Sequence, residues 1–133
     1  MVHALTEIRR VLLPGGVLLD VRPLMDRWQI EVVSGRGATE TGRVEDYPEP
    51  VAMDTAANQA MQEMESLGWF RREQEEVFPF FYSWDLPSEM EEFIAEEWSD
   101  VIRLSDEARQ ATRAAWSVAD ADSRVRLKLA VCA

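Results

Sequence analysis

Asp20 and Arg22 follow the apolar run Val17-Leu18-Leu19, and Trp84 and Asp85 close the aromatic run that begins at Phe78. A carboxylate and a guanidinium at the C-terminal end of a strand stand where open α/β sheets take up ligands. Asp20, Arg22, Trp84 and Asp85 are therefore the candidate lining of a small-molecule pocket. The plainer reading of an Asp or Arg at a strand end is a cap or an ion pair. Acid–base work by Asp20 would also need a second group within hydrogen-bond reach, which sequence alone does not place. A second acidic group, Glu89, Glu91, Glu92, Glu96 and Glu97, flanks the apolar face of one helical segment. Glu92 and Glu96 are spaced to hold a divalent ion, yet no Asp-x-Asp loop or histidine joins them. A solvated face is the simpler account. Because like charges repel at that spacing, an arginine from elsewhere in the chain is expected beside them.

His3 and Cys132 are the single histidine and the single cysteine. Together they cannot form a Cys/His zinc site, and one thiol forms no internal disulfide. Cys132 has no histidine near it in sequence and reads as an inert thiol in an apolar run. From these residues we assign no catalytic residue, no cofactor ligand and no metal ligand, and we expect no bound cofactor.

The formal net charge of -11 argues against nucleic-acid binding, which requires clustered positive charge to displace phosphate counterions. Anionic membrane surfaces are disfavoured for the same reason. Lys128 is the only lysine. With 133 residues, 47% of them hydrophobic, the chain is long and apolar enough for one domain, expected over 1–133, with a real core. No apolar run approaches the roughly 20 residues that span a bilayer, and the first residues do not form a signal peptide. A cytoplasmic acidic protein is expected.

The elements that position these residues can be read in order. Leu5, Ile8, Val11 and Leu12 place a helix over 4–13, which Pro14 ends and Gly15-Gly16 turn. Residues 17–21 are nearly continuously apolar and are expected to form a strand buried on both faces. "WQIEVV" (28–33) and "ATETGRVE" (38–45) flank "SGRG" and are expected to pair as a hairpin over about 28–45. The two prolines of 46–54 imply a loop, with Asp54 capping a helix over 55–67 and Gly68 following it. A strand is expected over about 70–83, where Pro79 restricts it to an edge, a bulge or a strand end. Ser88, with Glu91 three residues on, reads as a capping box opening a helix in 85–100. Ser105 caps another in 104–121, and 124–132 alternates as a terminal strand. The aromatic residues of 78–84 could pack a core or line a pocket; exposed rings would instead indicate an interface.

The unit "EIRRVLLPGGVLLDVRP" resembles the approach to the fifth strand of class I S-adenosylmethionine-dependent methyltransferases. The matching positions are Glu7, Arg10, Val11, Leu12, Pro14, Gly15, Gly16 and Val17 to Asp20. "LGWF" (67–70) is similar to the family's Gly-Phe before strand six, and the later order of elements follows strands six and seven. The resemblance implies an α/β fold, α+β by strict definition: a small mixed sheet with helices packed on it, like the C-terminal half of a Rossmann-like methyltransferase. It also implies that 124–132 lies between 17–21 and 70–83, antiparallel to both. The family's cofactor-binding half, with its Gly-rich loop after a strand, has no counterpart here. "GRGATETG" (35–42) lies between two hairpin strands rather than before a helix, so it reads as a turn.

A strand at 17–21 that has lost its neighbour would offer a bare apolar edge. Val17, Leu18, Leu19 and Val21 are thus the candidate interface, and a homodimer or a protein partner is expected to cover them. Three functions follow: a non-catalytic methyltransferase-like module acting by self-association or protein binding; the C-terminal half of a split methyltransferase completed by a partner chain; or a small-molecule binder using the strand-end pocket near Asp20 and Arg22.

Overall fold

The computed structural model describes the backbone of residues 2–133 and their side chains apart from those of Val2, Asp26 and Arg27. The elements run α1 (Val2–Val11), β1 (Arg22–Ser34), β2 (Gly37–Arg43), β3 (Glu45–Asp46), α2 (Pro48–Ser66), β4 (Val77–Trp84), α3 (Pro87–Glu97), β5 (Ile102–Arg103), α4 (Asp106–Ser117) and β6 (Arg124–Cys132). A four-stranded sheet has the order β2-β1-β6-β4, and β3 pairs separately with β5. The pairings are antiparallel, giving a small α+β fold.

The alternation read in 124–132 fixes the core. Val125, Leu127, Leu129 and Val131 are all buried on one face of β6. Directly paired residues share a face, so Val32 and Ile30 of β1 lie beside Val125 and Leu127. Trp84, Tyr82 and Phe80 flank β6 from the other side. Met90 and Ile94 of α3 and Ala108 of α4 close over this face, with Trp28, Ile102 and Leu104 completing the cluster. A second, smaller cluster joins α1 to α2 through Leu5, Ala60 and Met64, with Ile8, Leu18, Trp69 and Phe70 packed against it.

As expected, β6 lies between two antiparallel strands, one of them β4. Its other neighbour is β1, not 17–21. Residues 17–21 form no strand, and Val17, Leu19 and Val21 are 75%, 73% and 52% exposed; of the apolar residues there only Leu18 is half-buried. The reason lies in competition for a single sheet edge. Residues 28–33 alternate, so they can place Trp28, Ile30 and Val32 in the core while keeping Gln29 and Glu31 on the other face. A continuous apolar run would have needed cover on both faces.

The hairpin forms with the expected turn at Gly35-Arg36. Its return strand stops at Arg43, because Glu45 and Asp46 leave to pair with Arg103 and Ile102. An extra residue, Thr41, bulges opposite the Ile30–Glu31 step. Gly42 then lets α4 approach: a Cβ there would stand 3.2 Å from the Ala108 Cβ.

Helix α2 starts at Pro48, well before Asp54, because prolines are tolerated in a first turn, where N–H groups lack helical partners. Asp54 is therefore inside the helix and does not cap it. Gly68 adopts φ +68° just beyond the helix end, the role read for it. In α3 the start is Leu86-Pro87, and Ser88 is already helical. The Glu89 carboxylate accepts the backbone N–H groups of Asp85 and Leu86 at 3.0 and 3.2 Å, which leaves Ser88 no capping role. Ser105 caps α4 as expected, its Oγ accepting the Ala108 N–H at 3.2 Å. Residues 71–76 are not strand; β4 begins at Val77 and is an edge, as Pro79 required.

Candidate functional site

The four residues of the expected pocket lie at opposite ends of the sheet. Arg22 pairs with Cys132 and Trp84 with Val125, a separation along β6 of roughly 24 Å at about 3.4 Å per residue. Asp20 and Arg22 do come together. Arg22 Nε donates to both Asp20 oxygens at 2.9 and 3.0 Å, one terminal nitrogen reaches Asp54 Oδ1 at 3.3 Å, and the other donates to Asn58 Oδ1 at 2.9 Å. Every guanidinium nitrogen is engaged, so this cluster ties the start of β1 and the preceding segment to α2. Asp54 and Asn58 are the members sequence reading missed. Both project from one face of α2, at i and i+4, which would have been visible had the helix start been placed at Pro48.

Trp84 belongs to an aromatic array. It stacks with Tyr82 at 6.2 Å and meets Phe93 at 5.4 Å, while Trp98 stands edge-on to Tyr82 and Phe93 at 4.9 Å. The array seals one margin of the core rather than enclosing a cavity. Asp85 is exposed and pairs with Arg124 at 3.3 Å. The acidic helix does gain its expected arginine: Arg113 of α4 grips Glu91 with two nitrogens, at 2.9 and 2.6 Å. Glu91 holds the Arg113 guanidinium above its ordinary pKa. Among the described residues, no three His, Cys, Asp or Glu side chains are grouped to hold a metal, and no helix is long and apolar enough to cross a membrane.

An exposed apolar stretch runs onward from the end of α1. Val11, Leu13, Val17, Leu19 and Val21 are all more than half exposed. Among the described residues, the backbone of 17–21 exchanges no hydrogen bond with another segment. Phe80, Phe81 and Tyr82 on the free edge strand β4 are 46%, 40% and 37% exposed.

The face of the sheet opposite α3 and α4 carries a charged ladder. Glu31 is only 7% exposed; its Oε2 accepts from Arg126 Nε at 2.6 Å, and Lys128 Nζ lies 3.9 Å from Oε1. Arg126 in turn covers the Phe81 ring, 4.3 Å from its centroid. Gln29 and Arg43 extend the ladder by donating to the two oxygens of Glu40 at 3.0 and 3.3 Å. Sequence alternation puts Gln29 with Glu31, and Arg126 with Lys128, on one face; Glu40 and Arg43 share it only because of the Thr41 bulge, and the cross-strand register depends on that bulge and the one in β1. Compared with known protein families, curated proteins and solved structures, the chain has no match.

Proposed function

We propose that the chain is a non-catalytic interaction module that acts by self-association or by binding a protein, with the segment from Val11 to Val21 as its contact surface. The observation that carries this reading is the exposure of five large apolar side chains along that segment. Burying apolar surface contributes about 25 cal/mol per Å², so such a stretch favours association over solvation. The exposed rings of β4 point the same way, because sequence reading tied exposure there to an interface. The cytosol is the proposed location for an acidic chain with one free thiol.

A second reading, the C-terminal half of a methyltransferase completed by a partner chain, is favoured by the order β1-β6-β4. Two strands flank an antiparallel central one, the arrangement of the family's strands five, seven and six, although β1 rather than 17–21 stands in the place of strand five. The two readings share the contact surface and differ in what covers it. Sedimentation equilibrium tests the first: a dimer in the micromolar range supports self-association, and a monomer at ~100 μM contradicts it. Calorimetry with S-adenosylmethionine tests whether the isolated chain is a methyltransferase in its own right. Micromolar binding would overturn the non-catalytic reading.

A further inference from the structure

We propose that the cleft on the ladder face, between β1, β6 and the start of β4, binds a small organic monoanion: a carboxylate with a compact apolar body. The cleft is a shallow, solvent-open depression of about 520 Å³. Gln29, Arg43 and Lys128 line one side; Val77, Pro79 and Ala130 line the other.

The cations are under-used. Glu31 commits one oxygen to Arg126 at 2.6 Å. Among the described residues Lys128 keeps only a 3.9 Å ion pair with the other oxygen, beyond hydrogen-bond distance. Arg43 spends Nε on Glu40, and its two terminal nitrogens make no hydrogen bond among the described residues. An arginine fork of this kind matches a carboxylate, and the adjacent ammonium adds a point charge.

Charge decides the ligand class. Among the described residues lining the cleft, Arg43 and Lys128 carry charge, and each is already partly neutralised by one carboxylate, Glu40 or Glu31. That suits a monoanion and not a polyphosphate. The chain's net charge of -11 repels anions at long range, but salt screens this beyond about 8 Å. The opposite wall sets the body of the ligand, since Val77 is 52% exposed beside Pro79.

Lys128, the only lysine, provides a direct readout. Reductive methylation with ¹³C-formaldehyde retains its charge and marks it and the α-amine, whose lower pKa distinguishes its signal. Titration with benzoate is expected to shift the Lys128 methyl resonance saturably at millimolar concentration, while neutral benzamide leaves it in place. Arg43→Gln is expected to weaken benzoate binding about tenfold, the value of one hydrogen-bonded charge contact. Lys128→Gln, followed through the Ala130 amide, should do the same. No saturable shift, an equal response to benzamide, or undiminished affinity in both variants would overturn the proposal.

Discussion

Replacing Arg126 by methionine tests the ladder most sharply, because it keeps an apolar stem over Phe81 and removes only the charged head. Glu31 has a side chain 9% exposed, and among the described residues Arg126 is its one hydrogen-bonded partner, at 2.6 Å. Losing a hydrogen bond to a charged group costs about 2 kcal/mol. Losing the cation over the Phe81 ring, now at 4.3 Å, adds about 0.5 to 1 kcal/mol. Stripping one member from a fully buried pair costs about 3 to 5 kcal/mol. Here Lys128 stands 3.9 Å from the same carboxylate and recovers part of that. The net expectation is a loss of about 2 to 3 kcal/mol, roughly 8 to 12 °C in Tm for a chain of this length. Adding Glu31→Gln removes the orphaned charge, so the double variant should regain at least about 1 kcal/mol relative to Arg126→Met alone. Urea unfolding of the wild type, both single variants and the double variant closes the cycle. A single-variant loss below about 0.5 kcal/mol, ordinary for a surface change, would refute the claim that Glu31 depends on Arg126. So would a double variant as unstable as the sum of the singles.

Two further outcomes follow from the packing of α4 and the turn before β6. Thr112 is fully buried, and its hydroxyl donates to the Ala108 carbonyl at 2.8 Å while sharing a 2.8 Å hydrogen bond with Thr41 at the β2 bulge. Thr112→Val should cost about 1 to 2 kcal/mol in thermal or urea unfolding, and Thr41→Val/Thr112→Val together less than the sum. Ser123 is 5% exposed and its Oγ has no hydrogen-bond partner among the described residues. Ser123→Ala should therefore leave stability unchanged or raise it by about 1 kcal/mol in the same measurement; a loss of that size would mean that the hydroxyl is satisfied after all.

Legibility followed the clarity of each period. The alternation of 124–132 and 28–33 was enough to assign their faces, because one face of each packs beneath α3 and α4 while the other carries the ladder. Ser105 and Gly68 were readable because a cap and a left-handed turn depend on local chemistry alone. Residues 17–21 were misread because apolar character signals burial only if a sheet edge is open to receive it; β1 and β4 take both edges of β6. Asp54 and Ser88 were misread as caps for a shared reason. A proline earlier in the chain, Pro48 six residues before Asp54 and Pro87 one before Ser88, started each helix sooner. The expected pocket dispersed because strand ends that are alike in sequence, Asp20-Arg22 and Trp84-Asp85, lie at opposite ends of β6. The ladder itself could not be located, since pairing Glu31 with Arg126 spans 95 residues and depends on a bulge between Leu24 and Gln29.

The central claim is that the apolar segment after α1 is a contact surface, and amide hydrogen exchange at two protein concentrations tests it directly. Residues 17–21 lie outside any helix or strand, so in dilute solution their amides should exchange nearly as fast as an unfolded chain. At a concentration where the chain associates, or with its partner added, the account predicts strong protection of Val17 to Val21 and little change in α4. Exchange that stays fast there while association proceeds would contradict it, placing the interface elsewhere on the molecule.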